Sequence, residues 1–129
     1  MLKLIAIVFL AVLTVSGPVM AGDCANAENT LAIVDCHVAR YAAADKELNA
    51  VYSEAMKSLS DAEKKKLKEA QKAWLKYRDA GIAFMLETNK DSGSYGNVLI
   101  TDYKAKLVEK RVLELKYILS GPEGSPVAW

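Results

Sequence analysis

Few side chains in this sequence are of types that do chemistry. Cys36 precedes His37, the one histidine of the chain, and a thiolate beside an imidazole is a nucleophile beside its base. A second cysteine, Cys24, argues against that reading. The chain opens with an export signal, and two cysteines in an oxidising compartment pair as a disulfide by default. Two cysteines and one histidine also fall short of a four-ligand zinc set. Asp79 and Glu87 make a poor glycosidase pair, because that reaction needs two carboxylates across a cleft and a thin helical hairpin offers little cleft. The stretch "GSYG" (residues 93–96) precedes no phosphate-binding helix signature. No catalytic residue, metal site or cofactor is expected.

The unusual positions are charges on apolar faces. From Val34 to Leu59 an apolar stripe runs through Val34, Val38, Tyr41, Leu48, Tyr52, Met56 and Leu59. The position that continues it, four after Tyr41 and three before Leu48, is Asp45. Arg78 and Gln71 edge a second stripe around Trp74, and Arg111 falls inside a third between Leu107 and Leu115. An unpaired buried charge is expensive. Asp45 is therefore expected to accept charge-assisted hydrogen bonds from Arg78, Arg111 or both, the planar guanidinium matching a carboxylate. Asn49 and Gln71 would satisfy the remaining donors and acceptors. Such a cluster reads either as a structural network that fixes helix register or as a polar binding pocket.

Helices must position these groups, and the expected fold is all-α: an antiparallel helical hairpin plus a third helix, a small bundle with one disulfide. The first helix is expected from about Thr30 to Leu59. In "SLSDAEKK", Ser60 and Glu63 form a capping box that opens a second helix running to about Glu87. Its stripe is Leu67, Ala70, Trp74, Tyr77, Gly81 and Phe84. The short connection between the two makes them an antiparallel hairpin. "TNKDSGSYGN" (residues 88–97) is a loop by composition. A third helix spans about Val98 to Leu119 with the stripe Ile100, Leu107, Val108, Leu115, Ile118 and Leu119.

The disulfide constrains this picture. Twelve residues of continuous helix would hold Cys24 and Cys36 about 18 Å apart, whereas a disulfide needs about 5.5 Å between Cα atoms. Cys24 must therefore lie on a segment that folds back along the first turns of a helix starting near Asn29 or Thr30. The short loop is worth about 3 kcal/mol on the chain-entropy model.

"MLKLIAIVFLAVLTVSGPVMA" has a positive start, an apolar run and small residues at Val19 and Ala21, the pattern of a signal peptide cleaved after Ala21. A lipid-anchored form at Cys24 is the alternative, but Asp23 stands where a small residue belongs. Cleavage would take 21 of the 129 residues and leave 108; with Lys3 gone, 16 basic and 16 acidic side chains remain. Near-zero charge provides no field to draw in nucleic acid or an acidic membrane. The expected organisation is a signal peptide at 1–21, one helical domain at 22–119 and a flexible tail at 120–129. The protein is expected to be exported to the periplasm or medium, with no membrane anchor after cleavage.

The order Cys24, Cys36, "ADKELNAVY", "LKEAQKAWLKYRDA", a Gly/Ser loop and "LVEKRVLEL" resembles the lysozyme inhibitor LprI-like N-terminal domain family of small exported bacterial proteins. The match covers about residues 24–119. On this resemblance Asp45, Leu48, Asn49, Tyr52, Gln71, Trp74, Arg78, Asp79 and Arg111 occupy the family's characteristic positions. Family members commonly carry two further cysteines, where this chain has Ile82 and Tyr103. Their joint absence is that of a lost second disulfide, which implies that Ile82 and Tyr103 lie close in space.

The resemblance implies a non-enzymatic protein whose partner is a protein such as a lysozyme-type hydrolase with a carboxylate-lined sugar cleft. The candidate partner-binding loop carries Lys90, Ser92, Ser94 and Tyr95: lysine and hydroxyls to meet catalytic carboxylates and tyrosine as an interface anchor. The alternative is a structural or envelope-stress interaction module with no enzyme target. A rigid protruding loop would favour inhibition; a contiguous apolar patch would favour the module.

Overall fold

The computed structural model describes residues 23–120; the expected signal peptide and residues 121–129 of the expected tail lie outside them. A short 3-10 turn (Asp23–Asn26) leads into α1 (Thr30–Ser58), α2 (Asp61–Thr88) and α3 (Gly93–Ser120). No strand occurs among the described residues. No helix there is long and apolar enough to cross a membrane.

Local chemistry sets the helix ends. Asn29 caps α1, its side chain accepting from the Ala32 amide at 3.0 Å. Ser60 caps α2 through the reciprocal box: Glu63 N–H donates to Ser60 Oγ (3.3 Å), and Ser60 N–H donates to the Glu63 carboxylate (2.8 Å). That bond to the amide of Ser60 holds the Glu63 carboxyl below its ordinary pKa. Cys24 folds back onto α1 and bonds Cys36 with the Cα atoms 5.5 Å apart, the separation the chain geometry required.

The segment 88–97 differs from its expected form. Only residues 89–92 lie outside a helix, and α3 begins five residues earlier than composition suggests. Gly93 takes φ +56°, a left-handed conformation that other side chains resist. Gly96 then sits so close that a Cβ there would lie 2.8 Å from the carbonyl oxygen of Asn89. Two glycines thus compress the connection into a tight turn.

The three helices run up, down and up. His37 faces Thr101 and Glu47 faces Lys116, so α1 and α3 are parallel. Gln71 faces Arg111, and Tyr103 packs against Gly81, so α2 is antiparallel to α3. Tyr103 therefore sits against the residue preceding Ile82, in keeping with the expected proximity. The core is shared by α1 and α3: Ala44 and Leu48 from one, Val108, Val112 and Leu115 from the other, with Leu67 and Trp74 of α2 packed on its flank.

Three stripes are corrected by this packing. The buried face of α1 is His37, Arg40, Ala44, Leu48 and Ala55, so Val38, placed on the apolar stripe, is 52 % exposed. Ala44 and Ala55 are small, which lets α1 and α3 approach closely along that face. On α2 no residue is fully buried; Leu67, Trp74 and Gly81 are half-buried, while Tyr77 and Phe84 face solvent. On α3, Ile118 is also exposed.

Candidate functional site

The motif residues of α2 and α3 gather around the Trp74 indole. Arg78 and Arg111 each place their guanidinium carbon 5.7 Å from the ring centroid, within cation–π range. Arg111 is buried; it donates through Nε to Gln71 Oε1 (3.1 Å) and through Nη1 to Glu114 Oε2 (2.9 Å). Arg78 pairs with its neighbour Asp79, donating from Nε at 2.9 Å and lying 2.8 Å away through Nη2.

Asp45 is not bound by either arginine. It has no hydrogen bond or ion pair among the described residues. Instead it lines, with Asn49 of α1 and Gln71 and Arg78 of α2, an open groove of about 290 Å³ rimmed by Lys68 and Lys72. The cause is the rotation of α1: its tight face meets α3, so Asp45 lies on the flank that faces α2 and lines the groove instead of entering the core. Gln71 and Glu114 take the hydrogen bonds of Arg111 that Asp45 was expected to accept.

A second and larger buried charge network joins α1 to α3, at residues not singled out from the sequence. Arg40 is 2 % exposed. It forks onto Glu109 (Nε–Oε1 2.9 Å, Nη2–Oε2 2.7 Å) and also donates to Asp102 at 3.0 Å. Lys106 pairs with the other Asp102 oxygen at 2.6 Å. The Thr101 hydroxyl donates to the Asn97 carbonyl (2.7 Å), and its oxygen lies in hydrogen-bond contact with His37 Nδ1 at 3.3 Å. His37 Nε2 faces Asp102 at 3.9 Å. The available signal was that Arg40 precedes Ala44 and Leu48 at four-residue spacing, on the row that proves to be buried.

The hydrogen bond to Glu109 raises the Arg40 pKa, and burial opposes it only in part. Burial pushes the Asp102 carboxyl up, but hydrogen bonds from Lys106 and Arg40 and the nearby charges outweigh it, so its pKa is lowered overall. A carboxyl that ionises at lower pH when folded stabilises the fold fully above its unfolded pKa, about 3.9, and loses that contribution as pH falls through the folded value. Denaturant midpoints should therefore fall on acidification below about pH 4, and Asp102→Asn should flatten that decline. An unchanged pH profile in Asp102→Asn would contradict the network.

Lys90, Ser92, Ser94 and Tyr95 are all exposed. They sit on the α2–α3 turn and the first turn of α3, not on a ten-residue loop. Lys90 pairs with Glu87 at 2.6 Å, and Tyr95 is 65 % exposed at the tip. With Cys36 oxidised and His37 held by Thr101, the Cys–His pair is not a nucleophilic site. No group of three or more metal-ligating side chains occurs among the described residues.

A second surface lies at the other end of the bundle. An apolar groove of about 540 Å³ is lined by Leu59, Leu67, Ala70, Ile118 and Leu119, with Glu63, Lys66, Arg111 and Glu114 among the charged residues beside them.

A family model described as lysozyme inhibitor LprI matches residues 21–115. An uncharacterized protein of Rhizobium meliloti (strain 1021) is 30 % identical over 114 residues, covering 78 % of this chain and 81 % of that protein. No solved structure matches.

Proposed function

We propose, from the premise that the chain belongs to the lysozyme inhibitor LprI family, that it is an exported, non-enzymatic protein that occludes the cleft of a lysozyme-type glycan hydrolase by direct contact. Family membership is the observation that carries this reading. The α2–α3 tip supports it: Tyr95 presents an exposed aromatic side chain, and Lys90, Ser92 and Ser94 supply a cation and hydroxyls beside it. Backbone hydrogen bonds from Ser92 N–H to the Asn89 carbonyl and from Gly96 N–H to the Ser92 carbonyl hold this short turn, which lowers the ordering entropy that opposes docking. The apolar run of residues 1–21 supports export to the periplasm or medium.

The test is titration of the oxidised protein, residues 22–129, into a lysozyme cell-wall lysis assay with c-type and g-type enzymes. The expected result is saturable inhibition near one-to-one stoichiometry. Triple replacement of Lys90, Ser94 and Tyr95 by Ala should weaken it by roughly tenfold or more, the scale of losing an interface anchor. Inhibition of no lysozyme at micromolar excess would favour the second reading, an envelope interaction module. The Leu59–Leu67–Ile118 groove supports that alternative, because an exposed apolar patch is where such a module would take a partner.

A further inference from the structure

α2 carries a row of lysines at helical spacing. Lys65, Lys68, Lys72 and Lys76 follow one another by three, four and four residues, so they share one side of the helix, away from Trp74. All four are exposed. None forms an ion pair among the described residues. Neighbouring lysines are not left so: Lys64 pairs with Asp61 at 3.8 Å and Lys66 with Glu69 at 3.2 Å. Lysines at four-residue spacing repel one another, and here they do so on the helix with no fully buried residue. Lys65 stands four residues from Asp61 and from Glu69, and Lys72 and Lys76 stand three from Glu69 and Asp79, yet none of these closes an ion pair among the described residues; a partner bringing negative charge would meet the row directly.

We infer that this outer row of α2 docks the chain onto the carboxylate-lined cleft of a glycan hydrolase, an inference that rests on the inhibitor reading above. The spacing fits. Side chains four apart on a helix stand about 5–6 Å apart at Cβ, and the two catalytic carboxylates of such clefts lie roughly 5–9.5 Å apart. Lys72 and Lys76 can therefore each meet one carboxylate as flexible point charges. The row spans about 17 Å along the helix axis and leads toward the α2–α3 tip, so one partner can touch both. Lys68 and Lys72 also rim the Asp45 groove, where the Arg78 charge is already met by Asp79. With overall charge near zero, this field acts at short range and is screened by salt.

The experiment compares wild type, K65Q/K68Q/K72Q/K76Q, the matching four-glutamate variant and the tip variant in the lysis assay. Salt is set at about 50 and about 300 mM, on either side of physiological screening. Helix content is checked by circular dichroism; the glutamine variant keeps good helix formers throughout. The expected result is that the glutamine variant loses about tenfold or more in inhibition and most of its salt dependence, as removal of interfacial charge should. The glutamate variant loses more, and the tip variant keeps the salt dependence. Wild-type inhibition matched by the glutamine variant at both salts overturns this inference and leaves the inhibitor reading standing. No inhibition by wild type overturns both. A parallel arm uses phosphatidylglycerol–phosphatidylcholine vesicles. Vesicle binding that the glutamine variant loses, with lysozyme inhibition unchanged, overturns the inference in favour of a lipid surface.

Discussion

Arg40→Ala should cost about 3 kcal/mol of folding stability, read as a lowered denaturant midpoint with unchanged slope. The guanidinium side chain is 1 % exposed and bridges Glu109 and Asp102 of α3. Removing it leaves two carboxylates facing each other beside the core. The figure sits at the low end for breaking a buried pair because those carboxylates are 32 % and 27 % exposed and can partly rehydrate. Arg40→Lys should recover only part of the loss, since a single ammonium cannot reproduce the fork onto Glu109. Asp45→Ala is the matching control. Asp45 has no partner to lose, so its change should stay within about 0.5 kcal/mol. Comparable losses at Arg40 and Asp45 would mean that the charge network had been assigned to the wrong face of α1.

Trp74→Ala should cost about 2–3 kcal/mol, below the range for a fully buried aromatic because the indole is half-buried, and the loss should fall unevenly along the chain. α2 contributes no fully buried residue; it is held to its neighbours by Leu67, Trp74 and the α3 residue Arg111, which lies over the ring and donates to Gln71. Removing the ring deletes its apolar contact and both cation–π contacts together. Amide hydrogen exchange should then show residues 61–88 losing protection while the α1–α3 pair keeps most of its own, as expected for an element near the low end of local stability. Trp74→Phe, which retains a ring face for both guanidiniums, should cost about 1 kcal/mol less than the alanine change. Equal loss of protection in all three helices would instead show one cooperative unit. The row of unpaired lysines lies on this same loosely held helix, so a partner that engages it would stabilise α2 by mass action.

Much of this was legible in the sequence because its causes are local. Asn29 and Ser60 cap helices through atoms three residues away, Cys24 and Cys36 can pair only if the chain folds back between them, and the order of motif segments carries the family. What the sequence left open was rotation. On α1, the row through Val34, Val38 and Tyr41 and the row through His37, Arg40 and Ala44 are adjacent faces, and apolar content favours the first. Asp45 and Arg40 are each a charge on one of these rows, and spacing alone does not say which charge is buried. Tertiary packing decided it: Ala44 and Ala55 let α3 lie close against the second row, and Glu109 and Asp102, some sixty to seventy residues downstream, arrived to neutralise Arg40. The helices, the disulfide and the family follow from interactions within a few residues or from motif order. The buried charge network, the open Asp45 groove and the isolation of the lysine row depend on which faces meet across helices, and only the folded arrangement supplies that.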